Sequence, residues 1–514
     1  MRKALPYLLI VAAAISALLA VFLYQKHWLF QVGLALDDAY IHIQYSKNII
    51  AGKWMVYTTN QPRTPGDTSP LWIFLIAGFG YFHRDLVSVC LGLGGIFYAL
   101  TGIFAFQLGK KFFASGIFAL AYSLVVVFTG RMLWAAASGM EVTLFSFLCL
   151  LGVLLYLRGK DQGRFSVASA IIFGLAGNAR PEGILLFIFV LADWVLVVKI
   201  LKEKKLGISS IPWKAGIVFS VVSLPYLLFS FLSTGHFTPN TFRATKLPFD
   251  WSRSWEYLKL VVQFFYHDHL LLHIALPAGV LVFMAAFVRG RERERSNFLL
   301  WLWPIGYLAA SFFLAPIKYH FQRYLIPVLP FFVLLSFYGL ERVLAGLKRS
   351  LGPKITTALG YCLCLLMVVW AGVVTFWGWP LLTAQCVKNI NEMQVKLGYW
   401  VKNNTAPTDL VAANDIGAIY YISERPGLDL VGLVDPELLN RVQGLKMPSA
   451  ERDRVTFDYL KEKRPAYVIA FPNWFPAMLA HEEIFKPVYS VTIVDNLICA
   501  GDEMLVYKCN WPKK

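Results

Sequence analysis

The chain has 514 residues, of which 57% are hydrophobic and only 15% are charged. Soluble globular domains carry about 25% charged residues, so this composition excludes an ordinary soluble protein and a disordered one, and it indicates a protein that crosses a membrane several times. The net charge of +17 does not point to nucleic acid, because the excess lies in short loops between apolar runs, where positive charge sets membrane orientation.

Eleven apolar runs predict membrane-spanning helices. They lie near residues 5–24, 86–108, 112–130, 139–157, 165–179, 183–200, 213–233, 270–288, 298–315, 325–340 and 355–379. A further run, 71–82, is too short for a separate span and is predicted to be a juxtamembrane helix or part of a long bent span. A signal peptide is the alternative for residues 1–24, but Lys and Arg clusters alternate correctly when this segment is retained as a span. The alternation predicts a cytoplasmic N-terminus and an extracytoplasmic C-terminus.

Residues 380–514 lack an apolar run long enough to cross a membrane. Short strands are predicted at 410–413, 428–431, 466–470, 488–494 and 504–507, with helices at 436–441 and 450–463. The sequence therefore predicts two domains: a mainly α, polytopic membrane domain over 1–379, with a first outer loop at 25–70, and an extracytoplasmic α/β domain over 380–514. The spacing of Cys386, Cys499 and Cys509 leaves one disulfide open.

Five polar segments fall on the predicted extracytoplasmic face. They are the loop 25–70, the turns 138–141 and 180–182, the loop 234–269 and the segment 318–323. Ionisable groups at membrane depth are costly and usually serve a function. Their convergence on one face therefore predicts a site.

The first of these loops carries a doubled carboxylate. A helix over about 38–51, with Asp37 as its N-cap, would place Asp38, His42 and Tyr45 on one face. A cap needs one Asp, so the pair suits general-base work or cation binding. The alternatives are capping alone for the pair and simple packing for His42.

Several motifs resemble the GT-C glycosyltransferases, which are polytopic enzymes that take a sugar from a polyprenyl-phosphate carrier. Segments similar to the first outer loop of those enzymes are Leu36-Asp-Asp-Ala-Tyr-Ile41, Tyr45-Ser-Lys-Asn-Ile-Ile-Ala-Gly52 and Thr68-Ser-Pro-Leu-Trp72. Segments similar to the branch that contains the mycobacterial terminal arabinofuranosyltransferases are Ser138-Gly-Met-Glu141, Asn178-Ala-Arg-Pro-Glu-Gly183, Pro239-Asn-Thr-Phe242, Asp415-Ile-Gly-Ala418 and Asp429-Leu-Val-Gly-Leu433. The resemblance implies a GT-C-like membrane glycosyltransferase, of arabinofuranosyl- or mannosyl-transferring type, with Asp37 and Asp38 as its catalytic signature and one of them as general base.

Sugar transfer from a phosphate carrier also needs positive charge on the leaving phosphate, for which the fork of an arginine is well suited. Residues expected to bind substrate on the predicted outer face are His42, Tyr45, Trp72, Glu141, Arg180, Glu182, Asn240, Arg243, Lys246, Lys318, His320 and Arg323. Each cation could instead set topology or reach lipid headgroups. A divalent cation, Mg²⁺ or Mn²⁺, on Asp37 and Asp38 stays open, because a monophosphate can be neutralised by Arg and Lys alone, whereas a diphosphate would favour a metal.

The sequence therefore predicts a multi-pass glycosyltransferase of the bacterial cytoplasmic membrane. We expect it to move a sugar from a polyprenyl-phosphate donor to a hydroxyl of a glycan, lipid or protein acceptor on the extracytoplasmic face, with inversion. A transporter or flippase for lipid-linked sugars is the first alternative, but the charges lie at span ends on one face rather than at mid-span. A non-catalytic sugar-binding subunit is the second alternative, and the retained Asp pair argues against it.

Overall fold

The computed structural model describes residues 3–29, 32–196, 212–245, 249–268, 270–290, 297–314 and 320–512, most of them helical. In the membrane domain the α-helices are Leu5–Leu29, Asp37–Ile50, Pro70–Phe82, Leu86–Phe112, Gly116–Val127, Gly130–Ala137, Val142–Asp161, Val167–Ala179, Glu182–Asp193, Trp213–Thr234, Asn240–Thr245, Trp251–Asp268, Leu270–Val288, Leu299–Leu314, Leu329–Leu351 and Pro353–Ile390. Further along the chain they are Lys396–Asn404, Gly417–Ser423, Pro436–Val442, Ala450–Lys463 and Pro476–Leu479.

Each predicted span falls on one or more of these helices. Among the described residues, six helices are long and apolar enough to cross a membrane, and a seventh span is the pair Gly116–Val127 and Gly130–Ala137, bent by 54°. The other four predicted spans coincide with shorter or partly described helices: Val167–Ala179, Glu182–Asp193, Leu270–Val288 and Leu299–Leu314. The chain is therefore a multi-pass membrane protein, while the count of eleven spans stays a prediction.

Small residues let the membrane helices approach each other closely. Helices Leu270–Val288 and Leu329–Leu351 meet at two glycines: a Cβ atom on Gly279 would lie 2.3 Å from the Leu335 carbonyl oxygen, and one on Gly339 would lie 2.5 Å from the Gly279 nitrogen. Such close backbone contact drives helix association in membranes, where lipid tails are as apolar as leucine.

The short apolar run predicted beside the membrane forms helix Pro70–Phe82, which packs against helix Asp37–Ile50. Trp72 is fully buried, and its indole N–H donates to the Gly139 carbonyl oxygen at 3.0 Å. Gly139 has φ +83°, a left-handed conformation in which glycine is favoured. This contact ties the first loop to the turn 138–141.

The predicted α/β domain is present and is built on a five-stranded sheet. Its strands are β1 (Val411–Ala413), β2 (Gly427–Asp429), β3 (Tyr467–Ala470), β4 (Phe485–Thr492) and β5 (Glu503–Cys509), in the spatial order β2-β1-β3-β5-β4. β1 pairs with β2 and β3 in parallel, whereas β5 pairs with β3 and β4 in antiparallel fashion. All seven cysteines are free, so no disulfide forms in this domain.

Alternate side chains of the strands face two different partners, as the period of two requires. On one face Val411, Ala413 and Ile469 pack against Met55 and Tyr57 of the first loop. On the other face Ala412, Val468 and Ala470 pack against this domain's own helices. Helix Pro353–Ile390 runs through the predicted boundary at 379/380 and continues, through a π-helical turn at Asn391–Val395, into helix Lys396–Asn404. The sheet therefore docks directly on the first loop.

Candidate functional site

The doubled carboxylate begins helix Asp37–Ile50, here called the first-loop helix. The prediction that Asp37 is its N-cap is wrong: the cap position is Leu36, and no side chain caps this helix. The Asp37 carboxylate turns instead to the C-terminal domain, where it accepts the backbone N–H groups of Gly417 (2.9 Å) and Ala418 (2.8 Å). These amides open helix Gly417–Ser423, here called the tail helix. The first amides of a helix lack partners within it and carry partial positive charge, so they attract a carboxylate.

The contact requires a glycine at position 417. A Cβ atom there would lie 2.1 Å from the Asp37 carbonyl oxygen and 2.8 Å from its carboxyl carbon. Only a residue without a side chain lets the two backbones approach so closely. The start of the tail helix is thus shaped around Asp37.

Asp38 faces the membrane domain. Its Oδ2 accepts Nη2 of Arg323 at 2.7 Å, and the Asp38 side chain remains 38% exposed whereas Arg323 is only 8% exposed. Nε and Nη1 of Arg323 are buried and have no hydrogen-bond partner among the described residues. The preceding residues 320–322 all have φ between 52° and 55°, and non-glycine backbone in this region is typical of functional sites. Arg323 therefore offers two buried donors beside the Asp pair.

His42 lies one turn further along the first-loop helix, between two carboxylates. Its Nδ1 lies 2.5 Å from Asp67 Oδ2, and its Nε2 lies 3.3 Å from Glu141 Oε2. Burial alone would lower the pKa of His42, but Asp67 and Glu141 raise it to about 10. We therefore expect His42 to be an imidazolium at neutral pH, and its contacts join the first loop to the turn 138–141.

Arg180 is enclosed by acidic partners. Nη1 donates to Glu141 Oε1 and Nη2 donates to Glu182 Oε1, both at 2.7 Å. The ring of Tyr324 lies 4.7 Å from its guanidinium carbon. Because both terminal nitrogens already bind carboxylates, the arrangement is that of a buried ion-pair network.

Three other predicted substrate-binding residues hold loops in place. Tyr45 is buried, and its hydroxyl donates to the Thr64 carbonyl oxygen at 3.1 Å. Asn240 is also buried, and its Nδ2 donates to Thr64 Oγ1 at 3.2 Å. Nη2 of Arg243 donates to Asn440 (2.9 Å) and Gln443 (2.6 Å) of the C-terminal domain. Trp72 is likewise part of the core.

Direct contacts join all five polar segments into one cluster. The links are Asp38 to Arg323, His42 to Glu141, Glu141 to Arg180, and Asn240 to Thr64. His320 is half-buried and acts electrostatically on Asp38. Lys246 and Lys318 lie outside the described residues.

Sequence reasoning missed two acidic residues of this site. Asp67 was an isolated carboxylate in a loop rich in proline and glycine, and nothing in its surroundings predicted His42 as its partner. Asp415 was part of a motif but received no role. Its Oδ2 accepts Gln394 Nε2 at 2.7 Å and its Oδ1 accepts Asn414 Nδ2 at 3.0 Å.

The three aspartates differ in acidity. Burial raises the pKa of Asp37 to about 6, although its two amide donors lower it. Burial also acts on Asp38, but Arg323 and His320 outweigh it and hold the pKa of Asp38 below its usual value. Burial and the neighbouring Asp37 raise the pKa of Asp415 to about 8. Near neutral pH we therefore expect Asp38 to be ionised, Asp37 to be mostly ionised and Asp415 to carry a proton.

A divalent cation shared by Asp37 and Asp38 does not fit these residues. Asp38 already has the guanidinium of Arg323 as its counter-charge, which competes with a cation for its oxygens. Among the described residues, no three His, Cys, Asp or Glu side chains lie close enough to chelate one ion.

The fold is that of known membrane glycosyltransferases. ArnT from Cupriavidus metallidurans, in a crystal structure with bound undecaprenyl phosphate, matches with TM-score 0.61 and 14% identity over 97% of each chain. The oligosaccharyltransferase of Archaeoglobus fulgidus matches with TM-score 0.56 and 14% identity over 92% of this chain and 71% of that one. The arabinofuranosyltransferase AftD from Mycobacteria aligns over 97% of this chain and 41% of that one, with TM-score 0.44 and 12% identity.

By sequence, a family model described as a domain of unknown function, DUF8728, matches residues 388–507. No curated protein sequence matches the chain significantly. The two neighbours with TM-scores above 0.5, ArnT and the archaeal oligosaccharyltransferase, have the GT-C fold. The predicted GT-C fold, a mainly helical membrane domain followed by a small α/β domain, is confirmed.

Proposed function

We propose that this chain is a membrane glycosyltransferase that moves a sugar from a polyprenyl-phosphate carrier to an acceptor hydroxyl. The observation that carries the proposal is that two unlike groups lie next to each other in a GT-C fold: the Asp37 carboxylate and the Asp38–Arg323 ion pair. Asp37 has a pKa of about 6, which suits a general base at neutral pH. Next to it, the Asp38–Arg323 pair retains two buried N–H donors that suit a phosphate.

The chemistry follows from these two groups. Asp37 accepts the proton of the acceptor hydroxyl while that oxygen bonds to the anomeric carbon of the donor sugar. The bond from this carbon to the phosphate oxygen breaks, and the phosphate leaves with its electron pair. Nε and Nη1 of Arg323 donate to the leaving oxygens, where negative charge develops. Attack opposite the leaving group inverts the anomeric centre.

Two features support a lipid carrier. The structural neighbour ArnT binds undecaprenyl phosphate. In this chain Arg323 lies shortly before helix Leu329–Leu351, within a candidate membrane span, so a bound phosphate would lie near the membrane surface. The acceptor is a hydroxyl of a glycan, a lipid or a protein.

The test is incubation of the purified, full-length protein with a panel of polyprenyl-phosphate sugars, with products identified by mass spectrometry. We expect one donor to lose its sugar to an acceptor and to release polyprenyl phosphate, and the Asp37→Ala variant to release it at least about a hundredfold more slowly. A wild-type protein that binds these donors and neither transfers nor releases sugar would favour a transporter.

We also propose that the site lies on the extracytoplasmic face of a bacterial cytoplasmic membrane. The ground is the alternation of Lys and Arg clusters along the chain. A topology reporter fused after Arg295 is expected to be cytoplasmic, and one fused after Lys514 extracytoplasmic. If both reporters lie on the same side, this orientation is wrong.

A further inference from the structure

We infer that the C-terminal domain supplies a positioning residue of the transfer reaction: Asp415, together with the first amides of the tail helix, holds Asp37 in its reactive orientation. The inference rests on the proposed role of Asp37 as general base. It makes the C-terminal domain part of the reaction centre rather than only a cover over it.

The first support is the place of Asp415 in the sheet. β1 ends at Ala413, and its neighbours β2 and β3 run parallel to it. Loops that follow parallel strands meet at one edge of a sheet, and this edge is where α/β domains place their sites. The loop after β1 carries Asp415 and leads into Gly417, whose amide binds Asp37.

The second support is how Asp415 is held. Its carboxyl group accepts N–H groups from two neutral amides, Gln394 and Asn414. Gln394 is buried and lies in the π-helical turn Asn391–Val395, and such turns are frequent at functional sites. Asn414 is fixed in turn by the Phe471 N–H at 3.1 Å. Among the described residues, no Lys or Arg forms an ion pair with Asp415.

The third support is the set of side chains that surround Asp415. Asp37 and Asp38 act on it from the first-loop helix, and Cys499 lies beside it in the loop before β5, where its Sγ is 3.5 Å from Gln394 Oε1. Asp415 precedes by two residues the Gly417 amide that binds Asp37, and the negative charge of Asp37 favours the protonated form of Asp415. With the proton on Asp415, Asp37 remains an anion that can accept the acceptor proton.

Asp429 offers a matched comparison within the same sheet. It ends β2 as Asp415 follows β1, it is fully buried, and it accepts the N–H groups of Val431 (2.8 Å) and Val434 (2.9 Å). All these contacts stay inside its own loop. Asp429 therefore shows what a purely structural aspartate does here, whereas Asp415 lies where the domain contacts Asp37.

The experiment compares Asp415→Asn with Asp429→Asn in the full-length protein. For Asp415→Asn we expect kcat to fall at least tenfold, the KM for the donor to change less than threefold, and the ionisation near pH 8 to disappear from the pH profile of kcat. For Asp429→Asn we expect a lower Tm with an unchanged profile. Equal effects of the two variants on kcat, or an unchanged profile in Asp415→Asn, would overturn the inference.

A readout independent of activity separates this inference from the proposed function. Residues that are coupled through a shared stretch of backbone have non-additive effects on stability, whereas distant ones add. We expect the Tm changes of Asp37→Asn and Asp415→Asn to be non-additive, and those of Asp37→Asn and Asp429→Asn to add. If the Tm changes of Asp37→Asn and Asp415→Asn are non-additive but the wild-type protein transfers no sugar, the positioning of Asp37 by Asp415 stands and the proposed function fails. Additivity in both pairs overturns the inference even if the protein is active.

A second variant guards against an Asp415→Asn protein that does not fold. Gln394→Met removes one donor to Asp415 and keeps the volume of the side chain. We expect about a threefold lower kcat and the pKa near 8 moved upward, because a lost donor to the carboxylate favours its protonated form. A Gln394→Met protein with wild-type kcat and profile would contradict the positioning role.

Discussion

The two sides of the site neutralise their carboxylates by different means. On the membrane-domain side, Asp38 pairs with Arg323 and Glu141 pairs with Arg180 and His42, so that side chains of opposite charge face each other. On the side of the C-terminal domain, the hydrogen-bond donors to Asp37 and Asp415 among the described residues are all uncharged amides. The same residue type therefore meets a full positive charge on one side and dipoles on the other.

This difference separates the roles of the two adjacent aspartates. A guanidinium keeps a carboxylate ionised and makes it a weak base, whereas burial against amides raises the pKa toward neutrality. Asp38 is therefore suited to hold the Arg323 guanidinium in place, and Asp37 is suited to accept a proton from the acceptor hydroxyl. Pairs of carboxyl groups whose surroundings drive their pKa values apart are a recurring arrangement in enzymes that need both functions.

The largest effect is expected on removal of the base. Asp37→Ala should lower kcat by about 10²–10⁴-fold, the usual contribution of a positioned general base. The vacated amides of Gly417 and Ala418 should bind a small carboxylate, so added formate should restore part of the activity. Single-turnover transfer measured with and without formate gives the result.

The matched control is Asp38→Ala, which leaves the two amides occupied by Asp37. Formate should not restore its activity. Rescue of Asp38→Ala and not of Asp37→Ala would reverse the two assignments.

The next effect concerns the carrier. Arg323→Gln should raise the Kd of a polyprenyl phosphate by about tenfold to a hundredfold, because hydrogen bonds to charged groups contribute about 1.5–3 kcal/mol. Arg323→Lys should restore only part of this affinity, since an ammonium lacks the fork of a guanidinium. Titration of labelled carrier in detergent measures both.

Arg180→Gln serves as the control for Arg323. Both of its terminal nitrogens bind carboxylates, so its loss should lower Tm and leave the carrier's Kd within twofold. A larger loss of affinity in Arg180→Gln than in Arg323→Gln would move the phosphate site to Arg180.

A smaller effect is expected on the pH profile. A general base must be ionised, so kcat/KM should fall by up to tenfold for each pH unit below about 6, the pKa of Asp37. The charge of Asp38 raises the pKa of Asp37. In Asp38→Asn the inflection should therefore move to lower pH, and an inflection that stays near 6 would show that another group titrates.

The sequence predicted most of the fold because its signals are local. Long apolar runs gave the membrane helices, and the helix predicted over 450–463 is observed at Ala450–Lys463. The Asp pair and the arginines of the site were also predicted, because paired aspartates and arginines at span ends are conspicuous in an apolar chain.

What the sequence could not give is the partner of each group. Asp37 and Gly417 are 380 residues apart, and a carboxylate that caps its own helix has the same local sequence as one that binds another. Arg180 and Arg323 were both candidate phosphate ligands until the structure placed two carboxylates on Arg180, whereas Nε and Nη1 of Arg323 have no hydrogen-bond partner in the described part of the chain. Only the tertiary fold decides which donors are already used.

The smallest expected effect is on stability, within the ion-pair network of the membrane-domain side. Glu141 and Glu182 both bind Arg180 at 2.7 Å, but their side chains are 4% and 22% exposed. Removal of one partner of a buried pair costs about 3–5 kcal/mol, whereas a pair that solvent reaches contributes about 0–1 kcal/mol. Glu141→Gln should therefore lower the free energy of unfolding several times more than Glu182→Gln, the more so because Glu141 also faces His42. Thermal denaturation of both variants in the same detergent tests this. Equal losses would mean that Arg180 relies on both carboxylates alike, and that the turn 180–182, rather than the link from Glu141 to His42, holds this side of the site together.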